Sequence, residues 1–341
     1  MNQLLFITRK LRGTGGMQQL SADLWKVIQM QYGDQSKMVG FQSACSLCAF
    51  PFRAVLQGVL VSRRGGHIHL GDLSLAPLAL VIKFLVPSAH ISATVCGLEV
   101  LYGNRVYQWI LRHSLASMDT FACISTATAD ELRECGVRSA AIAVIPCGVW
   151  EKNIPSHDSS RPYSLLTVGR LIPRKGVAWF IRHVLPLLQK SFPNVMYTVV
   201  GSGPDEKAIL QCVEEMNLEN VVHLAGRVSE SEKDALLASS QCFVMPNVKV
   251  EGDMEGFGIV CLEAGRAGVP VVAARLEGVQ DAVLEGTTGL FFQSGNAEDC
   301  AEKITTVLSG SFTASSVTKE TMQHFGWDML AKRYYNEIFN A

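Results

Sequence analysis

Charge is scarce in this sequence. Charged residues make up 18% of its 341 positions and sum to −1, so the chain as a whole lacks the basic field that nucleic-acid binding draws on. No nucleic-acid partner is expected. No apolar run is long enough to cross a bilayer; the longest, Leu73 to Val86, is interrupted by Pro77 and Lys83 and fits a buried helix. Short-period repeats and low-complexity tracts are also missing, and with 48% hydrophobic residues the composition excludes disorder. The opening MNQLLFITRKLRG places its charges after a six-residue apolar strand rather than before a long apolar region, so no secretion signal is read there and a cytoplasmic location is expected. The ten cysteines are then reduced, mostly buried thiols. Cys45 and Cys48 form a CxxC with no second pair at metal spacing, so no metal site is expected.

What the sequence does contain is enough chain for two domains and an alternation of short β-rich runs with helical patterns throughout, the mark of parallel α/β layers. In the first half the strands are expected at Leu4–Thr8, His67–Leu70, Ile91–Val95, Thr120–Ile124 and Ala141–Ile145. The helix Phe52–Val61 carries Phe52, Val55, Leu56, Val59 and Leu60 on one face, which is expected to pack on the sheet. Residues 151–163, rich in Pro, Ser and Asp, read as a linker between a domain at 1–150 and another at 164–320. The second half restarts with strands near Ser164–Gly169, Met196–Gly201, Val221–Ala225, Cys242–Met245, Val269–Ala273 and Gly289–Phe292, and with helices near 176–190, 205–216, 231–239, 257–267 and 297–308. A last segment, 321–341, holds an amphipathic helix outside the alternation. Charge is divided unevenly: residues 1–146 carry 13 Lys/Arg against 8 Asp/Glu, and residues 147–341 carry 17 against 23. The basic front half, with Arg53, Arg63 and Arg64 around the Phe52–Val61 helix, makes peripheral contact with an anionic membrane a candidate property.

Open parallel sheets bind ligands beyond the carboxyl ends of their strands, and three loops there carry chemistry. The strand Ser164–Gly169 runs into Gly169-Arg170-Leu171-Ile172-Pro173-Arg174-Lys175-Gly176 and then a helix, an arrangement of cations beside a helix N-terminus that suits a diphosphate. Val200-Gly201-Ser202-Gly203-Pro204 is a glycine-rich strand-to-helix turn that lets backbone approach a ligand. In Glu255-Gly256-Phe257-Gly258-Ile259-Val260-Cys261-Leu262-Glu263, two carboxylates flank a glycine-led helix start. Carboxylates accept hydrogen bonds from adjacent sugar hydroxyls, and the N–H groups of Phe257 and Gly258 are free for sugar or phosphate oxygens.

Taken in order and spacing, GRLxxRKG, VGSGP, LxGRV and EGFGIVCLEA resemble the donor domain of glycosyltransferase family 4, retaining enzymes of the GT-B fold. The resemblance covers most of residues 164–308. It implies two Rossmann-like domains facing each other across a cleft, with the C-terminal helix at 321–341, including Trp327, crossing back to the N-terminal domain. It further implies that Arg170 and Lys175 hold the donor diphosphate, that Glu255 binds the transferred sugar and Glu263 the ribose, and that backbone around Arg227-Val228 meets the base. The donor would be a UDP-, GDP- or ADP-sugar, with no cofactor and no metal because cations replace it. The first half is similar more loosely: Gly13-Thr14-Gly15-Gly16 matches the family's glycine loop, placing Gly15 and Gly16 near the donor phosphate, and His67–Asp72 takes the place of a histidine-rich strand end. Thr94-Val95-Cys96-Gly97-Leu98-Glu99 resembles T-x-H-G-x-E with cysteine for the sugar-contacting histidine. A thiol is a weak donor, so His69, Asp72 or His90 would have to supply that contact beside Cys96.

The expected activity is therefore transfer of a hexose, with retention, from a nucleoside-diphosphate sugar to a hydroxyl of a glycan or lipid-linked acceptor at the inner face of the plasma membrane. One rival stands beside it: Cys96 suggests a non-catalytic sugar-nucleotide-binding subunit. An epimerase of the same two-domain fold lacks support, because such enzymes need well-placed acid/base carboxylates in both domains.

Overall fold

The computed structural model describes residues 3–9, 15–40, 49–154 and 163–340. Gly13, Thr14, the Cys45/Cys48 pair and most of the expected linker lie outside them. The chain divides into two compact units, one formed by Met1–Gly148 with Trp327–Ala341, the other by Val149–Gly326. The return to the first unit thus falls at Trp327, within the segment 321–341.

The first unit runs β1 (Leu4–Thr8), α1 (Gly16–Tyr32), β2 (Ser36–Gly40), α2 (Ala49–Ser62), β3 (His67–Leu70), α3 (Ala76–Leu85), β4 (His90–Val95), α4 (Leu98–Leu101), α5 (Arg105–Leu115), β5 (Thr120–Cys123), α6 (Thr126–Glu134) and β6 (Ile142–Val144). Its six strands are all parallel in the order β2-β1-β3-β4-β5-β6. Central strands covered on both faces need apolar residues at every position, and β1, Leu-Leu-Phe-Ile-Thr, is buried throughout. β2, which the sequence reading did not anticipate, is an edge strand with half-exposed Ser36 and Met38 and exposed Lys37; an edge does not require a continuous apolar run. Because β1 lies between β2 and β3, the strand order reverses there, and the carboxyl ends of β1 and β3 form the unit's switch point.

The second unit runs β7 (Ser164–Val168), α7 (Val177–His183), α8 (Leu185–Ser191), β8 (Met196–Val200), α9 (Glu206–Glu215), β9 (Val222–Gly226), α10 (Glu230–Ala238), β10 (Cys242–Met245), α11 (Ile259–Arg266), β11 (Val271–Ala274), β12 (Gly289–Phe292), α12 (Ala297–Leu308) and α13 (Ala314–Phe325). The helix expected over 176–190 is two, because Pro186 lies in the first turn of α8 and cannot donate to the preceding turn. Strand order is β12-β11-β10-β7-β8-β9, all parallel, which puts the switch point between β7 and β10. A separate apolar core fills each unit.

The chain then re-enters the first unit as α14 (Trp327–Tyr334), continued by a π-helical turn, Tyr335–Phe339. Trp327 is 1% exposed, and a Cβ added to Gly148 would lie 2.7 Å from its ring, so only a glycine allows this approach. Arg333 Nη2 donates to the Val144 carbonyl at 2.9 Å and Gln31 Nε2 to the Ala331 carbonyl at 2.8 Å. These contacts tie α14 to the strand and helix layers of the first unit.

A cation–carboxylate site at a switch point

In the second unit β7 ends at Val168, and the loop Gly169–Ile172 leads into a 3-10 turn, Pro173–Lys175. Gly176 ends that turn at φ +64°, and a Cβ there would come within 1.9 Å of the Pro246 carbonyl oxygen. Glycine is needed on both counts, and it brings the start of α7 against the exit of β10. Across that junction Lys175 Nζ lies 2.6 Å from Glu255 Oε2, Arg174 Nη2 lies 3.5 Å from the same oxygen, and Arg174 Nε lies 3.6 Å from Asp253. Asn247 Nδ2 donates to Glu255 Oε2 at 3.3 Å. Burial alone would raise the Glu255 carboxyl, but Lys175 and Arg174 outweigh it and hold the group below the usual carboxylate range. Glu255 is ionised at neutral pH.

Its backbone is held as firmly. Glu277, in an uncommon left-handed conformation at φ +50°, accepts the Glu255 N–H at 2.7 Å and pairs with Lys249 at 2.8 Å. Among the described residues no group accepts from the N–H of Phe257 or Gly258, which open toward the start of α11. Two turns on, Glu263 pairs with Lys233 at 2.8 Å, and although burial would lower the Lys233 ammonium, Glu263 and Glu230 raise it. Arg170 is exposed at the mouth of the loop, with no ion-pair partner among the described residues. Gly201 stands at the end of β8, where its N–H donates to the Gly226 carbonyl. Arg227 is exposed and donates to Ser202 Oγ at 2.7 Å, linking the two glycine-bearing loops. Val228 lines an open hollow of about 470 Å³ together with His223, Ala225 and Glu232; Lys175, Glu255 and Glu263 are not part of it.

The structure therefore gathers Lys175, Glu255 and the start of α11 at one switch point, with Arg170 beside them. It adds Arg174, counted in the sequence only among the loop's cations, and Asn247, Glu277 and Lys233, to which the sequence reading gave no role. Of these only Arg174 carried a local signal, since it lies inside the cationic loop.

The first unit's switch point is different. Gly15 begins α1 at φ +150°, with Gly16 as the helix's first residue. His69 is fully buried; one ring nitrogen meets Ser92 Oγ at 2.8 Å and the other Thr94 Oγ1 at 2.9 Å. Burial, with nearby His67 adding to it, lowers its pKa to about 3, so it is neutral. It stacks on Phe6 and meets the edges of Tyr334 and Phe339. The expectation that His69 offers a sugar contact is corrected: both nitrogens are already occupied inside the core. Asp72, 4% exposed, accepts from Arg9 Nε and from the Ser74 N–H, each at 3.0 Å, and caps the turn Leu73–Leu75. Cys96 is 7% exposed, and burial with the Glu99 carboxyl beside it pushes its thiol well above the ordinary range. Its N–H donates to Glu99 Oε1 at 2.8 Å. His90 is exposed at the opposite, amino end of β4.

Two parallel six-stranded sheets of this order define the GT-B fold, with charged loops at the second unit's switch point. Residues 150–324 match the family described as Glycosyl transferases group 1, and residues 67–150 match Glycosyltransferase Family 4. The first match covers more than half of the chain, and the chain belongs to that family. Among curated relatives, WcaL of Escherichia coli (strain K12), which carries the name of a colanic acid biosynthesis glycosyltransferase, is 26% identical over 290 residues, 82% of this chain and 68% of its own. The GDP-mannose-dependent alpha-(1-6)-phosphatidylinositol monomannoside mannosyltransferase of Mycolicibacterium smegmatis is 33% identical over 233 residues, 63% of this chain and 60% of its own. The fold is shared with Anabaena Alr3699/HepE, solved in complex with UDP, at a TM-score of 0.77 and 18% identity over 98% of each chain.

Proposed function

We propose that this chain transfers a hexose, with retention of configuration and without a metal, from a nucleoside-diphosphate sugar to a hydroxyl of a glycan or lipid-linked acceptor. The observation that carries the reading is the Lys175–Glu255 pair at the β7/β10 switch point, flanked by Arg174 on the loop that also carries Arg170, with the unpartnered N–H groups of Phe257 and Gly258 two and three residues beyond Glu255. Cations there offset the charge that develops on a leaving diphosphate, and an ionised Glu255 accepts from sugar hydroxyls. Glu263, which Lys233 holds at 2.8 Å, would accept from the ribose. In the reaction the bond from the anomeric carbon to the phosphate oxygen breaks while the acceptor oxygen bonds on the same face. The acceptor's proton passes to the departing phosphate. The protein's part is positioning and electrostatic stabilisation. Relatives that use GDP-mannose or bind UDP support a nucleoside-diphosphate donor and leave the base open.

A thermal-shift panel of UDP-, GDP- and ADP-sugars tests the donor: saturation at 100 times the dissociation constant adds roughly 2.7 kcal/mol of stability. No shift with any of them would refute the donor reading. A second reading, a binding subunit without turnover, is favoured by one observation: Cys96 replaces a hydrogen-bonding side chain and His69 cannot stand in for it. Radiolabelled-sugar transfer to crude membrane lipid and glycan separates the two. The catalytic reading expects transfer by the parent chain; transfer seen only in Cys96→His would establish the subunit reading.

A further inference from the structure

Helices covering a Rossmann sheet normally turn apolar residues inward and polar ones to water, and three helices of the first unit break that rule. In α2, Ala54, Gly58 and Val61 are buried, whereas Phe52, Leu56 and Leu60, spaced four apart, are 72%, 45% and 42% exposed. Of the face the sequence reading assigned to the sheet, only Val55 and Val59 reach the core; α2 is apolar on both sides. In α3, Ala76, Ala79 and Ile82 point inward, and Leu80, Val81, Phe84 and Leu85 point out, Phe84 being 83% exposed. In α5, Val106 and Trp109 are 68% and 62% exposed. α2 lies against α3 and α3 against α5, so the three apolar stripes are neighbours. Soluble monomers rarely leave so much contiguous apolar surface in water.

Apart from one ion pair, the charges on this face share one sign. From Gln35 to Met118 the only carboxylates are Asp72 and Glu99, and both are buried. Over the same stretch Arg53, Arg63, Arg64, Arg105 and Arg112 are exposed and have no ion-pair partner among the described residues. Lys83 is neutralised by Asp119 at 3.0 Å.

We propose that the α2–α3–α5 face docks on an anionic lipid bilayer, with Phe52, Leu56, Phe84 and Trp109 entering the headgroup–acyl boundary and the arginines meeting lipid phosphates. The face offers apolar anchors and unpaired positive charge, and the one exposed carboxylate against it, Asp119, is taken up by Lys83, so its partner must supply the negative charge that the arginines lack, as an anionic leaflet does. A second copy of the face would set arginines against arginines. No helix among the described residues is long and apolar enough to cross a membrane, so the contact is peripheral. The proposal stands on this surface alone and holds or fails independently of glycosyl transfer.

The test is sedimentation of the full chain with vesicles of phosphatidylcholine, with and without phosphatidylglycerol, across a salt series. Trp109, the one tryptophan with a largely exposed ring, reports insertion through a blue shift in its emission. Binding is expected only with phosphatidylglycerol, weakening as salt rises. Phe52→Glu combined with Phe84→Glu should weaken it more than tenfold, and Arg63→Ser and Arg64→Ser about fivefold each. Trp109→Phe should retain binding and lose the blue shift. All these positions are exposed, so melting temperature and nucleotide binding should be unchanged. Failure to sediment with phosphatidylglycerol vesicles would overturn the proposal. So would equal, salt-indifferent binding to neutral vesicles, or a dimer that Phe84→Glu abolishes.

Discussion

The two units repeat one architecture and equip it oppositely. At the β7/β10 junction of the second, Arg174, Lys175, Lys249, Asp253, Glu255 and Glu277 interlock through ion pairs. At the β1/β3 junction of the first, a single ion pair, Arg9–Asp72, spans the strand exits, a neutral histidine sits between two hydroxyls, and a cysteine whose thiol is held protonated follows β4. The sheets themselves are equally apolar. What differs is how much charge the strand ends hold, a network of ion pairs in the second unit against one pair in the first. The first unit presents, on its helical face, an oily surface set with arginines.

Acid should separate the units most widely. Burial lowers His67 to about 4 and His69 to about 3, against about 6.5 in an unfolded chain. The unfolded state therefore binds more protons below pH 6.5, and the stability from these neutral rings is present above that pH and lost as pH falls toward 4. The loss is on the order of 4 kcal/mol for the two together by pH 5. The depressed Glu255 works in the second unit in the same direction but at lower pH: its contribution holds above the ordinary carboxylate range and fades below it. Hydrogen exchange at pH 5 should find the β3–β4 amides opened before those of β7 and β10. The reverse order would break the comparison.

Lys175→Ala should come next. It leaves the Glu255 carboxylate with only Arg174 and Asn247, at an expected cost of about 3 kcal/mol in stability and at least about 100-fold in kcat/KM. Kinetics and a melting curve check both. Arg170→Ala sharpens the contrast, because Arg170 is exposed and unpaired among the described residues: a loss of about 10- to 100-fold in kcat/KM with an unchanged Tm. An equal Tm loss in both variants would mean that the loop is structural. Cys96→Ala, in the first unit, should cost under about 1 kcal/mol and change kcat less than threefold. A larger kcat loss would show that the thiol touches substrate.

Much of this was legible in the sequence because parallel strands buried on both faces announce themselves as apolar runs, and because the cationic loop and the glycine-led carboxylate pair are compact in sequence. What stayed hidden was relational. Nothing local says that Lys175 meets Glu255 eighty positions on, or that Glu277 holds the Glu255 amide from a left-handed turn. β2 was missed because an edge strand tolerates Lys37. The outward side of α2 was misassigned because a helix apolar on both sides gives no periodic clue to which side is covered. His69 looked available because a sequence cannot show that Ser92 and Thr94, on the neighbouring strand, already hold it.

The chain's path has a consequence for synthesis. Residues 149–326 are in effect an insertion into the first unit, whose last layer, α14, is supplied only when Trp327 and its neighbours emerge. At roughly 5–20 residues per second, the six strands of the first unit wait on the order of ten seconds or more with Gly148 and the His69 face uncovered, while the second unit, contiguous in sequence, can close on its own. The unit made first is thus the one completed last, and a nascent chain stalled before Trp327 would hold a finished ion-pair site beside a half-roofed sheet.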